Sequence, residues 1–470
     1  MGRAVVTARD LVEANAHDRR RLATALVAGA PGGREPELAR PGGALAGGLV
    51  LAVLLAVGGA VAGHLGQGDR DAWDEPGLVV SERTGASYLV LDAGDHPTLR
   101  PVLNNTSARL AVEAGALHPR IVGQEVIDDQ VLGEAVGIAG APAALPSPSR
   151  LVQTGWTACA GEGSGLRVRV AASPAARPLA GSGLVVASRG VRYVVARAAA
   201  DGGAAPTVRA YRLPGGPRGA TGEQDALLED LGLPIRAEAT PVPHRWLALF
   251  PRGGDLGWAS FGLSGLGRPA PAAGSLGVPV GARVGDVLAT GEGSFLLTRR
   301  GPAELTAFAL AVYRHAATPG GAAPRVIRVR DVPGAARAGR PYLAARWPAS
   351  RLRPVRGRPC AQLATRDRAA PTVRLVSDPG GNDRVEAGVA PGRGAYVRVG
   401  GWGGRVRGSP YVVDAAGVAS AVVGPDAVER LGYGDTAAPV VPVPWLGLFE
   451  RGVPLSVDAA LSGISSAGGS

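Results

Sequence analysis

The residue types that most often carry chemistry in proteins are sparse in this chain of 470 residues. The two cysteines, Cys159 and Cys360, are too few for a zinc site and too far apart in sequence for a Cys-x-x-Cys redox motif. In an oxidising compartment, two such thiols would form a disulfide instead. Whether the two cysteines lie in an oxidising or a reducing compartment therefore decides their role.

Hydrolytic catalysis has no local support in the sequence. The six histidines are scattered, and no His-Glu-x-x-His or Gly-x-Ser-x-Gly motif accompanies them. Neighbouring carboxylates such as Asp128 and Asp129 lie in polar sequence that is typical of a solvated loop. Only a glycosidase-like pair of carboxylates, brought together by folding, stays open.

Phosphate chemistry is restricted by a missing residue type. All 50 basic residues are arginines, because no lysine occurs in the chain. A P-loop needs a lysine to reach the β and γ phosphates, so only loose nucleotide binding by arginines beside an aromatic cleft stays open.

The formal net charge of +11 is spread along the chain without stacking aromatics, which argues against a nucleic-acid partner. We predict a protein that is not an enzyme, with no catalytic residue, metal site or cofactor.

Residues 44–63 form an uncharged apolar run, about the twenty residues that a helix needs to cross a bilayer. Seven arginines precede this run, whereas the segment that follows it is mainly acidic. The positive-inside rule then places the N-terminus in the cytoplasm and the rest of the chain outside. We predict one membrane-spanning helix over residues 44–63.

A cleaved signal peptide is the alternative, since Ala60-Val61-Ala62 has the small-x-small pattern of a processing site. The polar region ahead of the apolar run exceeds forty residues, which is far longer than the usual start of a signal peptide. We therefore favour an uncleaved anchor. The cytoplasmic residues 1–43 are expected to contain an amphipathic helix that ends near Gly29.

The part of the chain beyond the anchor contains repeats. An aromatic residue, two branched apolar residues and a later glycine recur four times, and the aromatic residues are Tyr88, Tyr193, Phe295 and Tyr411. Each copy is typical of a strand followed by a turn, and a short helix is predicted after each. The predicted helices cover residues 105–113, 222–231, 306–315 and 425–431.

A longer match links the second and fourth repeats. Residues 243–253 parallel residues 442–452, so that Trp246 matches Trp445 and Phe250 matches Phe449. We interpret aromatic residues at this spacing as core anchors rather than as ligand-binding residues. The complete set of predicted core anchors is Tyr88, Tyr193, Trp246, Phe250, Phe295, Tyr411, Trp445 and Phe449.

With the bulk of the chain outside the membrane, an intramolecular bridge between Cys159 and Cys360 is the simplest prediction, and an intermolecular bridge stays open. The bridge would close a loop of about two hundred residues. It would tie together segments on either side of the second and third repeats. Those repeats would then project from a central domain made of discontinuous stretches.

Several of these motifs resemble one protein family. Residues 19–26, Arg-Arg-Arg-Leu-Ala-Thr-Ala-Leu, precede the anchor, and the most specific segments are Gly-Ile-Ala-Gly-Ala-Pro at 137–142 and Trp-Thr-Ala-Cys at 156–159. Their order and spacing resemble EccB, component B of the type VII (ESX-like) secretion core complex of actinobacteria, over nearly the whole chain. One departure is the run His-Pro-Thr-Leu-Arg-Pro at 96–101, where a single His-Pro-Val-Leu run is expected.

The resemblance implies an α+β fold. It would have an N-terminal cytoplasmic helix, a single transmembrane helix and an elongated β-rich extracytoplasmic domain of four small αβ repeats around a disulfide-linked central domain. The expected boundaries are residues 1–43 for the cytoplasmic region, 44–63 for the membrane helix, 64–77 for a linker, 78–125 for repeat 1, 126–182 for the first part of the central domain, 183–270 for repeat 2, 275–320 for repeat 3, 321–390 for the second part of the central domain, 391–457 for repeat 4 and 458–470 for a flexible tail.

The resemblance also implies a function. The chain would be a structural subunit in the cell membrane that anchors and assembles the extracytoplasmic side of an export channel. Its implied partners are an EccC-type motor ATPase, EccD-like and EccE-like membrane subunits, a subtilisin-like mycosin protease and other copies of itself. The alternatives are a stand-alone membrane-anchored module that binds the cell envelope, an accessory nucleotide-binding or ATPase subunit without a P-loop, and a secreted hydrolase.

Overall fold

The fold is described from a computed structural model of the chain. The chain divides into two compact parts, Met1–Asp71 and Ala72–Ser470, and every strand and helix given below lies in the second part. The described residues are 15, 73–92, 97–113, 119–161, 165–171, 176–200, 205–215, 221–271, 273–274, 277–316, 325–333, 337–355, 357–378 and 387–463. The expected cytoplasmic region lies outside them except for Asn15, and the expected membrane span lies entirely outside them. Within the described ranges, no helix is both long and apolar enough to cross a bilayer.

Four small sheets share one topology. In each, three antiparallel strands are followed by a fourth strand that lies parallel to the first, and the spatial order is third, second, first, fourth. The strands are β1 (Gly77–Ser81), β2 (Ser87–Val90), β3 (Leu99–Pro101) and β4 (Arg120–Val122) in unit 1; β7 (Ser182–Ser188), β8 (Val191–Arg197), β9 (Val208–Arg212) and β10 (Thr240–Pro241) in unit 2; β11 (Val287–Ala289), β12 (Ser294–Thr298), β13 (Gly301–Leu305) and β14 (Val326–Arg328) in unit 3; and β19 (Ala395–Gly400), β20 (Val406–Val413), β21 (Val418–Ala421) and β22 (Val440–Pro442) in unit 4. The aromatic residue of the sequence pattern lies on the second strand of every unit.

A fifth sheet occupies the centre. Its order is β17-β16-β5-β6-β18, and its strands come from both sides of units 2 and 3 in the sequence. The remaining strands are β5 (Thr157–Ala160), β6 (Leu166–Val170), β15 (Arg353–Pro354), β16 (Cys360–Ala364), β17 (Thr372–Val376), β18 (Ala387–Val389) and β23 (Glu450–Arg451). The α+β and β-rich character of the fold, predicted from the sequence, is confirmed.

Helices make the crossovers that parallel strands require. One lies between the third and fourth strands of every unit, and most units have another after the fourth strand. The helices are α1 (Asn105–Ala111), α2 (Gln124–Asp128), α3 (Thr221–Asp230), α4 (His244–Leu247), α5 (Ala307–His315), α6 (Pro425–Arg430), α7 (Val443–Leu446) and α8 (Val457–Leu461), with 3₁₀ turns at Pro148–Arg150, Arg236–Glu238, Trp258–Phe261 and Leu343–Ala345.

Side-chain caps define where two of the crossover helices begin. The Asn104 side chain accepts a hydrogen bond from the Ser107 N–H at 2.9 Å and starts α1. The Thr306 hydroxyl accepts one from the Ala309 N–H at 3.2 Å and starts α5. Each cap satisfies an N–H group that has no partner inside the helix, which is why short polar residues occupy these positions.

Each unit is completed by the chain that follows its fourth strand. That segment crosses the sheet, about three interstrand spacings or roughly 14 Å, and pairs in parallel with the third strand at the opposite edge. The pairs are Leu99 with Leu132, Ala210 with Arg252, Ala303 with Ala338, and Val418 with Glu450. The third strand is therefore covered in all four units, while the fourth strand forms the other edge.

Buried clusters join the units to one another. The largest one contains Trp156 and connects the central sheet with units 2 and 4. Another contains Tyr211 and Phe308 and connects unit 2 with unit 3. A third brings Leu110 of unit 1 against Leu431 of unit 4. Since each small sheet has only a few short strands, these shared clusters add apolar burial to what each unit buries by itself.

The structure differs from the expected boundaries on both sides of the central domain. Unit 3 extends beyond residue 320, because β14 completes its sheet and Ala338 pairs with β13. Unit 1 likewise extends beyond residue 125, because Leu132 and Val136 pair with its third-strand segment. These pairings join residues far apart in sequence through very short strands, which leave no periodic pattern to read.

The expected flexible tail, residues 458–470, is partly wrong. Its first residues belong to α8, where the Ser456 hydroxyl accepts a hydrogen bond from the Ala459 N–H at 3.2 Å. Ala460 is completely buried, and Leu461 packs on the core of unit 1. A capped helix of five residues is too short to give a clear apolar period in the sequence.

We predict that α8 stabilises unit 1. A chain that ends at residue 456 loses the buried Ala460 and the contacts of Leu461, which should destabilise unit 1 by about 2 kcal/mol. Hydrogen exchange measured by mass spectrometry should then show faster exchange in α1. A chain that ends at residue 463 is the matched control and should exchange like the full chain; equal protection of α1 in both truncated chains would refute this role.

Candidate functional site

The two cysteines face each other in the middle of the central sheet. Cys159 of β5 lies directly opposite Cys360 of β16, their Cα atoms are 4.0 Å apart, and a disulfide joins them across 201 positions of sequence. Both residues are buried beside Val376. The disulfide therefore ties the strand that precedes units 2 and 3 to the strand that follows them.

One carboxylate lies close to the disulfide. An oxygen of Asp378 and the two sulfur atoms lie within 4.8 Å of one another, the spacing of a three-ligand metal site. The sulfur atoms are bonded to each other, so neither is a thiolate that could bind a metal. Asp378 also forms an ion pair with Arg167 of β6. In the oxidised protein, this carboxylate therefore links the end of β17 to β6, across the two cysteine-bearing strands.

Trp246 attaches unit 2 to the central sheet. It lies on α4 with no exposed surface, and its indole N–H donates to the backbone oxygen of Ala158 at 3.0 Å. Phe250 packs edge-on against Trp246, with ring centroids 4.8 Å apart. The buried indole thus has its polar group satisfied one residue away from the disulfide.

The matching residues of unit 4 contact both unit 2 and the segment before β5, so the central sheet and these two units form a closed ring of contacts. Trp445 donates its indole N–H to the oxygen of Leu249 at 3.1 Å, so the anchor of unit 4 binds the anchor segment of unit 2. Phe449 packs edge-on against Trp156, with ring centroids 5.3 Å apart. Trp156 in turn donates to the Val152 oxygen at 2.8 Å and lies just before β5. We call Trp156, Trp246, Trp445 and Phe449 the tryptophan circuit.

The tryptophan circuit brings together only part of the set of predicted core anchors. Trp246, Phe250, Trp445 and Phe449 meet in one cluster, to which Tyr193 and the half-buried Tyr411 also contribute. Phe295 is buried in unit 3, and Tyr88 packs half-buried in unit 1, each in a separate cluster.

Trp156 is missing from the predicted set. Its size was the available signal, because a tryptophan buries a large apolar surface when it enters a core. The nearby disulfide gave none, since the two cysteines lie in a separate cluster.

Two of the pattern aromatics are covered by arginines. The guanidinium of Arg252 lies 4.7 Å above the ring centre of Tyr193, and that of Arg337 lies 5.0 Å above the ring centre of Phe295. Both arginines come from the segment that returns beside the third strand. Such cation–π contacts add about 0.5–1 kcal/mol each at partly exposed sites, so they fix the returning segment over the sheet.

A second aromatic cluster, which the sequence did not predict, joins units 2 and 3. Phe261 lies at its centre, edge-on to Tyr313 and Trp347 with ring centroids 5.0 Å away in both cases. Trp347 donates its indole N–H to the Gly254 oxygen at 3.0 Å. These residues follow no common spacing, so only the folded structure reveals the cluster.

Among the described residues, the most buried carboxylate has a structural role. Asp286 is 6% exposed and accepts a hydrogen bond from the Arg283 N–H at 2.7 Å while it pairs with the Arg325 guanidinium. The ion pair raises the pKa of Arg325, since the side-chain hydrogen bond favours its charged form. Asp286 therefore fixes the start of β11 against the start of β14, and its oxygen atoms are already engaged.

Three tyrosine hydroxyls are buried against backbone oxygens. Tyr433 donates to the Pro146 oxygen and Tyr313 to the Gly285 oxygen, both at 2.6 Å, and Tyr211 donates to the Arg346 oxygen. Burial raises the pKa of each hydroxyl well above the usual value near 10, because ionisation would bury a charge and remove the donated proton.

A groove of about 370 Å³ lies between unit 2 and the edge strand β17 of the central sheet. Its floor is apolar and includes Leu179 and Val373, and the exposed Arg197, Arg366 and Arg374 line it. No carboxylate, histidine or cysteine is among its lining residues within the described part of the chain. The only hydroxyl among these lining residues is that of Thr372, and no carboxylate or histidine among them lies beside it to act as its base.

Comparison with known protein sequences supports the resemblance. The family model described as "Type VII secretion system ESX-1, transport TM domain B" matches residues 4–466. The protein "ESX-1 secretion system ATPase EccB1" of Mycolicibacterium smegmatis (strain MKD8) is 26% identical over 246 residues, which are 52% of this chain and 47% of that protein. The chain thus spans about half the length of this curated relative.

Solved structures show the same fold. "Structure of an intact ESX-5 inner membrane complex, Composite C3 model" contains a chain that is 21% identical, with a TM-score of 0.57 and coverage of 100% of this chain and 98% of that one. "Structure of EccB3 dimer from the ESX-3 core complex" matches at 20% identity, with a TM-score of 0.58 and coverage of 82% of this chain and 100% of that one. These likenesses establish the architecture of the part described above.

We predict that Trp246 is a main contributor to stability. Trp246→Ala leaves a large cavity in the core that the central sheet shares with units 2 and 4, and should cost about 3–5 kcal/mol in the free energy of unfolding. Trp246→Phe keeps an aromatic ring and removes the N–H donor, so it should cost about 1–3 kcal/mol.

Denaturant unfolding of the purified chain measures these losses. Trp402→Phe, at a half-buried tryptophan on the rim of the same cluster, is the matched control and should change stability by less than about 1 kcal/mol. If Trp246→Ala were no more harmful than this control, the tryptophan circuit would not be a stabilising contact.

We predict a delayed ionisation of tyrosine at high pH. The raised pKa of Tyr211, Tyr313 and Tyr433 means that their contribution to stability is complete below pH of about 10 and is lost as pH rises above that value. These three should ionise only when the fold opens. The chain has no lysine, and arginine stays charged in this range, so no other basic side chain obscures the transition.

Ultraviolet absorbance of the phenolate form follows this titration. The unfolded chain in denaturant is the control, in which all eight tyrosines should ionise together near pH of about 10. The same single transition in a chain that still has native circular dichroism would contradict the prediction.

Proposed function

This chain belongs to the EccB family of the type VII secretion system, and on that premise we propose that it is a structural subunit of a membrane-embedded secretion core complex. Residues 1–43 would lie in the cytoplasm, and residues 44–63 would form a single transmembrane helix. The part of the chain that begins near Ala72 would lie outside the cytoplasm and assemble the extracytoplasmic side of the export channel.

The charge pattern around the apolar run is the observation that carries this proposal. Seven arginines precede residues 44–63, and Asp69, Asp71, Asp74 and Glu75 follow them. This asymmetry favours an exported C-terminal part. A disulfide buried in the central sheet fits the oxidising side of a membrane.

In this proposal, the exported part acts through contacts with other proteins and catalyses no reaction. The relative from Mycolicibacterium smegmatis bears the word ATPase in its description, yet the lysine of a P-loop is missing from the whole of this sequence. The most buried carboxylate and the disulfide each hold strands together. A rigid arrangement of four units around one sheet suits a scaffold.

The proposed partners follow from the family. They are an EccC-type motor ATPase, EccD-like and EccE-like membrane subunits, a subtilisin-like mycosin protease and further copies of this chain. The ESX-5 and EccB3 structures are described as an inner membrane complex and a dimer, which supports assembly of this kind.

One experiment tests topology and assembly together. Cys159 and Cys360 are joined, so Asp74→Cys adds the single free thiol of the described chain. We expect a membrane-impermeant biotin maleimide to label it in intact cells. Capture on streptavidin after mild detergent extraction should then recover a multi-P-loop motor ATPase and a polytopic membrane protein, identified by mass spectrometry.

The matched control is Asn15→Cys, which should be labelled only after the cells are lysed. Labelling of Asp74→Cys only after lysis would overturn the proposed orientation. Recovery of a correctly labelled chain with cell-wall polymer and without membrane partners would overturn the core-complex role and favour a stand-alone envelope-binding module. A mature chain found in the medium without residues 1–63 would overturn the anchor.

A further inference from the structure

The edge strand β14 of unit 3 has backbone groups that point away from its own sheet. The Val287 N–H donates to the Arg325 oxygen at 2.9 Å, and the Val329 N–H donates to the Ala289 oxygen at 3.0 Å. Because backbone groups alternate in direction along a strand, those of Val326 and Arg328 face outward. They form no hydrogen bond with any described residue.

The side chains of β14 and of the two residues that follow it, Val329 and Arg330, also divide into two sets. Ile327 and Val329 are half-buried and pack on the core of unit 3. Val326 is 49% exposed, and Arg328 and Arg330 are exposed. Neither guanidinium has an acidic partner among the residues that the structure describes. An open strand edge with one apolar and two cationic side chains therefore faces solvent.

The corresponding strands of units 2 and 4 are protected. In unit 4, β22 is buried along its whole length. In unit 2, β10 shares its edge of β7 with β15 and ends at Pro241, which has no N–H to offer.

In unit 1, β4 is exposed at Ile121, but Arg120 already pairs with Glu75. Among the four units, β14 alone combines an open edge with arginines that lack acidic partners in the described part of the chain.

The positive charge of unit 3 indicates which kind of strand would pair with this edge. Residues 277–340 contain nine arginines and four acidic residues, a net charge of +5. A second copy pairing through its own β14 would place Arg328 and Arg330 close to their equivalents, and like charges across neighbouring strands are destabilising. A strand with carboxylates on alternate residues would instead form hydrogen bonds with the edge and ion pairs with both arginines.

We propose that β14 is a docking edge to which an extended acidic segment of a partner protein adds as a further strand, with its backbone on Val326 and Arg328 and its carboxylates on Arg328 and Arg330. Open edges of this kind are usually shielded in monomeric proteins, since they pair readily with other chains. This inference does not rest on the proposed role in secretion, because it follows from the edge and its charge.

Fluorescence anisotropy with the full chain in detergent micelles tests the proposal. The probe is a fluorescein-labelled eight-residue peptide of alternating glutamate and valine. We expect saturable binding that weakens as salt is raised, because the ion pairs are exposed. Arg328→Glu combined with Arg330→Glu should weaken binding about tenfold or more, since two attractions become repulsions.

Two controls separate strand addition from simple charge attraction. Arg299→Glu combined with Arg300→Glu makes the same charge change at the exposed turn between β12 and β13, and should change affinity less than about twofold. Val326→Pro removes an outward N–H and keeps every bond to β11, so the fold should persist while peptide binding falls about tenfold. Unchanged thermal unfolding of each variant confirms that the fold is intact.

Three results would overturn the proposal. One is the absence of saturable binding. Another is equal weakening by the two double substitutions, which would mean attraction to net charge alone. The last is undiminished binding by Val326→Pro, which would remove the strand edge from the interaction. If Val326→Pro instead dissociated pairs of the full chain, seen by mass photometry, while the acidic peptide failed to bind, the edge would belong to a second copy.

Discussion

Strands β5 and β16 pair in the middle of the central sheet, and their cysteines are joined by the disulfide. These strands lie on either side of units 2 and 3 in sequence, so the central sheet forms only when nearly two hundred intervening residues return to its starting point. Closing so long a loop costs entropy, and the disulfide removes about 4–5 kcal/mol of that cost in the chain-entropy model. Because the bond is buried in the sheet that units 2 and 4 contact, it also fixes the register from which those two units are placed.

Hydrogen bonds from two tryptophans position units 2 and 4 relative to the central sheet. Trp246 binds the strand that contains Cys159, and Trp445 binds the segment that contains Trp246. Each indole satisfies its N–H inside an apolar core, so the contact combines a large buried surface with a defined direction. The positions of units 2 and 4 therefore follow from the central sheet.

The sequence predicts the local features of this fold well and its long-range features poorly. The four pattern aromatics each mark a second strand, and the crossover helices lie within a residue or two of their predicted ends, because strands and capped helices leave local patterns. The tryptophan match between units 2 and 4 was visible because the segment repeats. β14, the pairing of Leu132 with Leu99, and the cluster around Phe261 were not visible, since they join isolated residues that only folding brings together.

The segment after the fourth strand decides whether a unit is internal or peripheral. In units 2 and 4 it forms a short helix that carries a tryptophan into the shared core. The fourth strand of unit 4 is buried, and that of unit 2 is only two residues long, ends at Pro241 and lies beside β15 on the same edge of β7. In units 1 and 3 that segment carries no tryptophan, and the fourth strand stays at the surface. One topology thus serves two purposes, because a covered edge strengthens the scaffold while an open edge offers hydrogen bonds to another chain. Contact with a partner through a peripheral unit would leave the tryptophan circuit undisturbed, so stability and assembly depend on different strands.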